Sequence, residues 1–361
     1  MEKLFVIILF LAACAPHATL KTAPNLVEGT SVVPVFTVSN RAFDLVETPS
    51  GRSDQLKFAR LDIAVPPERS PGEITLAGNT PNPETDFLLA DSQAFSKAGF
   101  RKALSASLRQ LPRDERDVLL YVHGFNNSFA DGVFRMAQLT HDVKLKGVSV
   151  HFSWPSYGHP LAYARDRDSA IFSRDALVEV LELIDVPEAR RVGVIAHSMG
   201  AFLTMEALRQ MDIGRPGSVA RTLDGVLLIS PDIDVEVFRS QARRIKPLPK
   251  PFAIFLSQRD RALNLSARLT GERARLGNMS DSSRIGEFDV VVVDISEFSS
   301  GEGHFDAGTS PALIGILAQA ADVDNAFASD ASGVSGLLPG SVLTIQNVTQ
   351  FVLSPPGQLP R

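Results

Sequence analysis

The sequence predicts an α/β fold in which a mostly parallel central sheet carries helices on both faces. Three observations lead there. Four short apolar runs, 118–122, 148–152, 191–196 and 223–229, have the length of strands. Stretches with helical spacing, 130–144, 169–184 and 201–211, separate them, and further β-like runs follow at 252–256 and 288–294. Strands alternating with helices imply right-handed crossovers, and near-continuous apolar runs are how parallel strands buried on both faces read. With 361 residues, 44% of them hydrophobic, the chain can fill a large core, and one main domain over 36–325 is expected.

In chain order, Lys3 precedes an apolar run, 4–13, long enough for the core of a secretory signal and too short for a bilayer-spanning helix of about 20 residues. Leu11-Ala12-Ala13-Cys14 resembles a bacterial lipobox. That resemblance implies a signal peptide over 1–13, acylation of Cys14 (palmitate among the acyl groups) and a protein anchored in the cell envelope through lipid. No aspartate follows Cys14, which favours the outer membrane, facing the periplasm, over the inner one. Cys14 is the only cysteine, so the fold holds no internal disulfide.

Residues 14–35, rich in Thr, Pro, Ala and Asn without period, read as a tether with no core of their own. The alternating stretch 58–65, ending at Pro66-Pro67, reads as an edge or entry strand, and the Pro- and Gly-rich segment up to Pro83 as a surface excursion. Residues 95–111 read as a helix. After the last β-like run, a helix over 310–321 closes the domain. The tail, 326–361, is rich in Gly, Ser and Pro and carries the pattern of one extra strand over 342–353.

A net charge of -5 with mixed signs and no basic run argues against a nucleic-acid partner, because neutralising phosphates takes clustered Lys and Arg. No thiolate cluster exists, and His123 and His151 lack the close spacing to carboxylates that metal sites show, so neither metal nor cofactor is expected.

The pentapeptide Ala196-His197-Ser198-Met199-Gly200 sits between a strand-like run and a helical stretch. A serine on such a corner is lifted clear of the sheet, where a base can reach it; small residues on either side make the turn possible. His123-Gly124-Phe125-Asn126 ends the 118–122 run, and a glycine there lets the backbone turn its amides toward a developing oxyanion. The amides of Phe125 and Met199 are the expected donors, with His123, Gly124 and Asn126 lining the pocket. Trp154, the only tryptophan, either lines the pocket too or packs beneath it.

In the order nucleophile, acid, histidine, only His304 of the seven histidines follows Ser198 with an acid between them. Asp260, after the 252–256 run, is the stronger candidate for the acid, and Asp232 is the alternative.

Taken together, Tyr121-Val122-His123-Gly124-Phe125-Asn126, Phe152-Ser153-Trp154-Pro155-Ser156, the Ser198 pentapeptide and Pro231-Asp232-Ile233-Asp234 resemble the α/β-hydrolase superfamily, and within it a bacterial family of esterase/lipase-like hydrolases of unknown function. The resemblance spans residues 58–321 and implies the α/β-hydrolase fold and a serine hydrolase with a Ser-His-Asp triad, a carboxylesterase before an amidase, acting on a small or lipid-like ester. The rival reading is a non-catalytic envelope lipoprotein that uses the same scaffold for binding.

Overall fold

A computed structural model describes residues 17–42, 51–271, 275–298, 309–310, 314, 342–347 and 350–354. Its strands are β1 (Ser31–Arg41), β2 (Arg52–Val65), β3 (Leu88–Phe95), β4 (Asp117–Val122), β5 (Val148–Ser153), β6 (Arg191–His197), β7 (Gly225–Ile229), β8 (Phe252–Leu256), β9 (Val291–Asp294), β10 (Val342–Asn347) and β11 (Gln350–Ser354). They form one sheet in the order β11-β10-β9-β8-β7-β6-β4-β5-β1-β2-β3. Pairing is parallel across the strands from β1 to β10 in the sheet and antiparallel at both ends, where β2 and then β3 follow β1 and β11 returns along β10. This is the α/β-hydrolase fold.

Side chains alternate across the sheet. In β4, Val118, Leu120 and Val122 face one layer while Leu119 and Tyr121 face the other. The first layer buries α1 (Lys97–Gln110), α4 (Arg174–Ile184), α5 (Met199–Gly214) and α7 (Val235–Arg244). On the opposite face α2 (Phe129–Asp142) lies over β1, β2 and β4, with a smaller apolar cluster under β7, β8 and β9. Among the described residues no helix is long and apolar enough to cross a membrane.

The chain runs from β4 to β5 on one side, then crosses back over β4 to β6 on the other. The carboxyl ends of β4 and β6 are therefore neighbours at the point where the connections diverge, which is where doubly wound sheets open a crevice.

Several local expectations differ from the structure. The helical stretch 169–184 is two helices, α3 (Tyr163–Phe172) and α4, joined at Ser173, whose hydroxyl donates to the Ser169 carbonyl (2.7 Å) and accepts from Asn40 Nδ2 (2.9 Å). Of the two readings of 58–65 the edge is excluded, because β2 lies between β1 and β3, and β3, which the sequence pattern does not mark as an element, forms the edge. The tail contributes a hairpin in place of a single strand. The closing helix over 310–321 lies, apart from Ser310 and Ile314, outside the described residues.

The segment read as a tether over 14–35 is, from His17 on, part of the domain. Ala18, Val33 and Val35 are buried, and β1 inserts in parallel beside β5. The reason is a set of local anchors that composition does not reveal. His17 Nδ1 lies 2.7 Å from Asp131 Oδ2 and its Nε2 lies 3.0 Å from the Gly158 carbonyl; the Ala18 amide donates to Asp131 Oδ1 (2.8 Å), and Ser128 Oγ donates to the Ala18 carbonyl (3.0 Å). Asp131 also closes the capping box of α2 with Ser128, so the N-terminal segment docks on a helix start.

The hydrogen bond to Asp131 raises His17 above its ordinary 6.5. Burial alone would raise Asp131, but the hydrogen bonds from His17, Ser128 and Ala18 hold it below 3.8. The pair thus stabilises docking fully between those two ordinary values. The contribution is lost as pH rises through the raised His17 value or falls through the lowered Asp131 value. Hydrogen-exchange protection of the Ala18 and Ala23 amides is expected to drop on going from pH 6.5 to strongly alkaline pH, and Asp131→Asn should remove that pH dependence.

Candidate active site

Ser198 stands between β6 and α5 with φ 53° and ψ -120°. A non-glycine residue there carries strain of about 1–3 kcal/mol, which persists only where the surroundings over-determine it. They do so here. The Ser198 amide donates to the Ile229 carbonyl at the end of β7 (3.0 Å), and its carbonyl accepts from the amides of Ala201 (3.0 Å) and Asp232 (3.1 Å).

The first turn of α5 also lies directly on the end of β4. A Cβ at Gly200 would fall 2.2 Å from the His123 carbonyl oxygen and 2.6 Å from that of Val122. From the other side, a Cβ at Gly124 would meet His197 Nδ1 at 2.6 Å and Ser198 Cβ at 3.0 Å. Two side-chain-free positions therefore let the loop after β4 and the serine corner touch. Ala196, fully buried, fills the position where a third small residue is needed.

That contact sets the loop bearing the Phe125 amide beside the corner bearing Ser198 and the Met199 amide. Among the described residues no backbone or side-chain acceptor takes either N–H. The loop that presents Phe125 is held from within: Asn127 Nδ2 donates to the Phe125 carbonyl (2.8 Å), Asn126 sits at φ 56°, and the Phe125 ring packs edge-on against Tyr163 with centroids 5.6 Å apart.

Beneath the loop lies a buried polar shelf. Arg41, at the end of β1, donates from Nε to Ser153 Oγ (2.8 Å), from Nη1 to the Ser156 carbonyl (2.8 Å) and from Nη2 to the Asn127 carbonyl (2.9 Å). The same Nη2 lies 3.2 Å from His123 Nε2, which is also 3.1 Å from the Trp154 carbonyl, and His123 Nδ1 lies 2.9 Å from the Gly124 carbonyl. Burial and the neighbouring guanidinium hold His123 well below its ordinary value, as a neutral ring. Burial lowers Arg41 to about 9, which leaves it charged at neutral pH. Trp154 is fully buried, stacks on His123 at 5.0 Å and 7°, and donates its indole N–H to the His123 carbonyl (2.7 Å). His151, buried beside this stack and pushed down to about 3 by desolvation, is neutral as well.

Two carboxylates stand on the same edge. Asp260, fully buried after β8, caps α8 (Arg261–Leu269) by accepting from the Leu263 amide (2.9 Å). Asp232, after β7, is committed on both oxygens: Oδ2 accepts from the Tyr163 hydroxyl (2.9 Å), and Oδ1 accepts from Ser266 Oγ (2.6 Å) with Arg275 Nε at 3.2 Å. The structure thus brings Ser198, Phe125, Met199, Asp232 and Asp260 to the carboxyl edge of β4, β6, β7 and β8. His304 and Cys14 lie outside the described residues. No group of three metal-ligating side chains converges among the described residues. Arg41, central to the shelf, escaped the sequence reading because a lone arginine in Ser39-Asn40-Arg41 carries no signal of burial.

A profile of the family described as "alpha/beta hydrolase of unknown function" (DUF900) matches residues 96–320. The chain belongs to this family. The α/β-hydrolase match begins at α1, so β1 to β3, and Arg41 with them, lie ahead of it. Of curated proteins, an uncharacterized one from a Nostoc species is 40% identical over 63 residues, 17% of this chain; the match spans 16% of that relative's length. Among solved structures, an esterase of Pyrobaculum calidifontis is 13% identical with 91% of each chain covered and a TM-score of 0.34. Naproxen esterase of Bacillus subtilis is 12% identical, with 64% of this chain and 99% of that one covered and a TM-score of 0.32. These are distant likenesses, and the family match carries the assignment.

Two substitutions test this construction. Gly200→Ala forces a methyl group onto the Val122 and His123 carbonyls, and unfolding in urea should show a loss of about 1–3 kcal/mol. Arg41→Met takes the donor from the Ser153 hydroxyl and the Ser156 and Asn127 carbonyls at once, and its unfolding free energy should fall by about 3 kcal/mol or more.

Proposed function

We propose that this protein is a serine hydrolase of the cell envelope, a carboxylesterase that works through Ser198, His304 and Asp260. The observation that carries the reading is the corner at Ser198: a non-glycine residue held at φ 53°, followed by Met199 and faced by the loop of Phe125, whose two amides meet no acceptor among the described residues. Strain of this kind is retained where chemistry needs it.

In the proposed reaction, neutral His304 takes the Ser198 hydroxyl proton as the oxygen attacks the ester carbonyl carbon. The carbonyl oxygen becomes an oxyanion that accepts hydrogen bonds from the Phe125 and Met199 amides. Protonated His304 gives its proton to the departing alcohol, leaving an acyl group on Ser198, and water activated by the same imidazole releases the acid. Asp260 orients the ring. It is preferred over Asp232 because both Asp232 oxygens serve Tyr163, Ser266 and Arg275. Ester over amide rests on the family likeness. The same reading makes Cys14 the acylated anchor and the outer membrane, on its periplasmic side, the site of action.

A fluorophosphonate probe should label the wild-type chain and spare Ser198→Ala, while a panel of acyl esters loses at least about 10⁴ in rate with the same substitution. A folded wild type that stays unlabelled would favour a non-catalytic binding lipoprotein. Asp260→Asn should cost about 10³ or more in kcat, against less than about tenfold for Asp232→Asn. Because the base acts unprotonated, kcat/KM should fall as pH drops below about 6 to 7 and stay level above it, a profile that His304→Ala abolishes.

A further inference from the structure

The carboxyl edge that carries Ser198 also carries an apolar and cationic rim. In the loop from β5 to α3, Tyr157 is 42% exposed and Leu161 is 75% exposed. On α8, Leu265 and Leu269 are 58% and 62% exposed, one turn apart on the side away from the buried Leu263, Ser266 and Ala267. The helix leaves from Asp260 at the end of β8, and the chain returns at Leu276 and Gly277 onto Ile233 and Pro231, so α8 lies on this same edge. The two parts of the rim are tied together, because Tyr163 and Ser266 both donate to Asp232 while the Tyr163 ring packs on Phe125.

Its charge opposes that of the molecule. The net charge is -5, yet α8 carries Arg261 and Arg268, both exposed, and no carboxylate. Exposed leucines bordered by arginines suit the interface of an anionic bilayer, where acyl chains take the one and headgroups the other.

The first described residue lies at the same place. His17 is fixed to the Gly158 carbonyl, in the very loop that bears Tyr157 and Leu161. Cys14 is three residues earlier, which spans about 10 Å at full extension. A lipid carried on Cys14 would therefore lie within about 10 Å of the His17 anchor point and would hold this edge near the bilayer.

From these observations we infer that the Ser198 edge seats on the surface of a phospholipid bilayer containing anionic lipid, and that the ester substrate is drawn from that bilayer. The inference rests on reading Cys14 as the anchor and Ser198 as the nucleophile. It adds the orientation and the source of the substrate.

Tryptophan quenching tests the orientation without any catalysis. The native Trp154 is fully buried and gives a constant background. Full-length chains carrying Leu161→Trp, Leu265→Trp or, on the opposite edge just before β5, Lys146→Trp are bound to vesicles of phosphatidylcholine and phosphatidylglycerol with brominated acyl chains. Emission from the two rim tryptophans should drop about twofold relative to unbrominated vesicles, while Lys146→Trp and wild type change little. Chains that fail to float with the vesicles, or float with the rim unquenched, or show Lys146→Trp quenched equally, overturn the inference.

In a second arm, Leu161→Asp/Leu265→Asp should lose about tenfold or more in hydrolysis of a vesicle-borne ester and keep its rate on a monomeric, water-soluble one. Equal loss on both esters counts against the bilayer as the source. A wild type inactive on both would overturn the nucleophile reading, and an unacylated N-terminal peptide in the mass spectrum the anchor reading; neither is confused with the quenching pattern.

Discussion

The site depends on one close approach. The first turn of α5 rests on the carbonyls of Val122 and His123, with Gly200 and Gly124 supplying the only space between them. Everything chemical follows from that contact: Ser198 holds its strained conformation, and the loop after β4, with the Phe125 amide, is brought against it. Parallel strands make the contact available, since β4 and β6 are neighbours whose crossovers leave in opposite directions. The strain is offset by three backbone hydrogen bonds at Ser198 itself.

A second layer keeps the loop from relaxing. Arg41 reaches four polar groups on two segments, after β4 and at the end of β5, and the stack of His123 on Trp154 joins the same two segments through a ring contact and an indole N–H. A guanidinium buried to this degree is tolerated because nearly every donor is used; in a low-dielectric interior such networks rigidify what they hold. The cation and the neutral imidazoles of His123 and His151 are mutually consistent, since one buried charge disfavours a second beside it. The shelf enters through β1, ahead of the residues that the family match spans.

Much of the fold was legible because buried parallel strands leave a strong imprint. The runs at 118–122, 148–152 and 191–196 coincide with β4, β5 and β6 to within a residue. The Ser198 corner was legible for a different reason, namely that only a strand, a small-residue turn and a helix in that order produce it. What escaped was held by polar contacts. β1 contains Pro34, Ser39, Asn40 and Arg41 and reads as irregular, yet it is buried because its polar groups find partners on β5, the loop after it and α3–α4. The docking of His17 on Asp131 is a pairing across more than a hundred residues that no local pattern encodes. The division of 169–184 into α3 and α4 turns on a single serine hydroxyl meeting Asn40.

The central claim is geometric: the oxygen of an ester bound at Ser198 sits between the amides of Phe125 and Met199. A crystal structure of the chain after reaction with an alkyl phosphonate reads this directly. The account predicts phosphorus bonded to Ser198 Oγ, with one phosphoryl oxygen about 2.7–3.1 Å from both amide nitrogens. A phosphoryl oxygen turned to solvent, or an adduct on another residue, would contradict it.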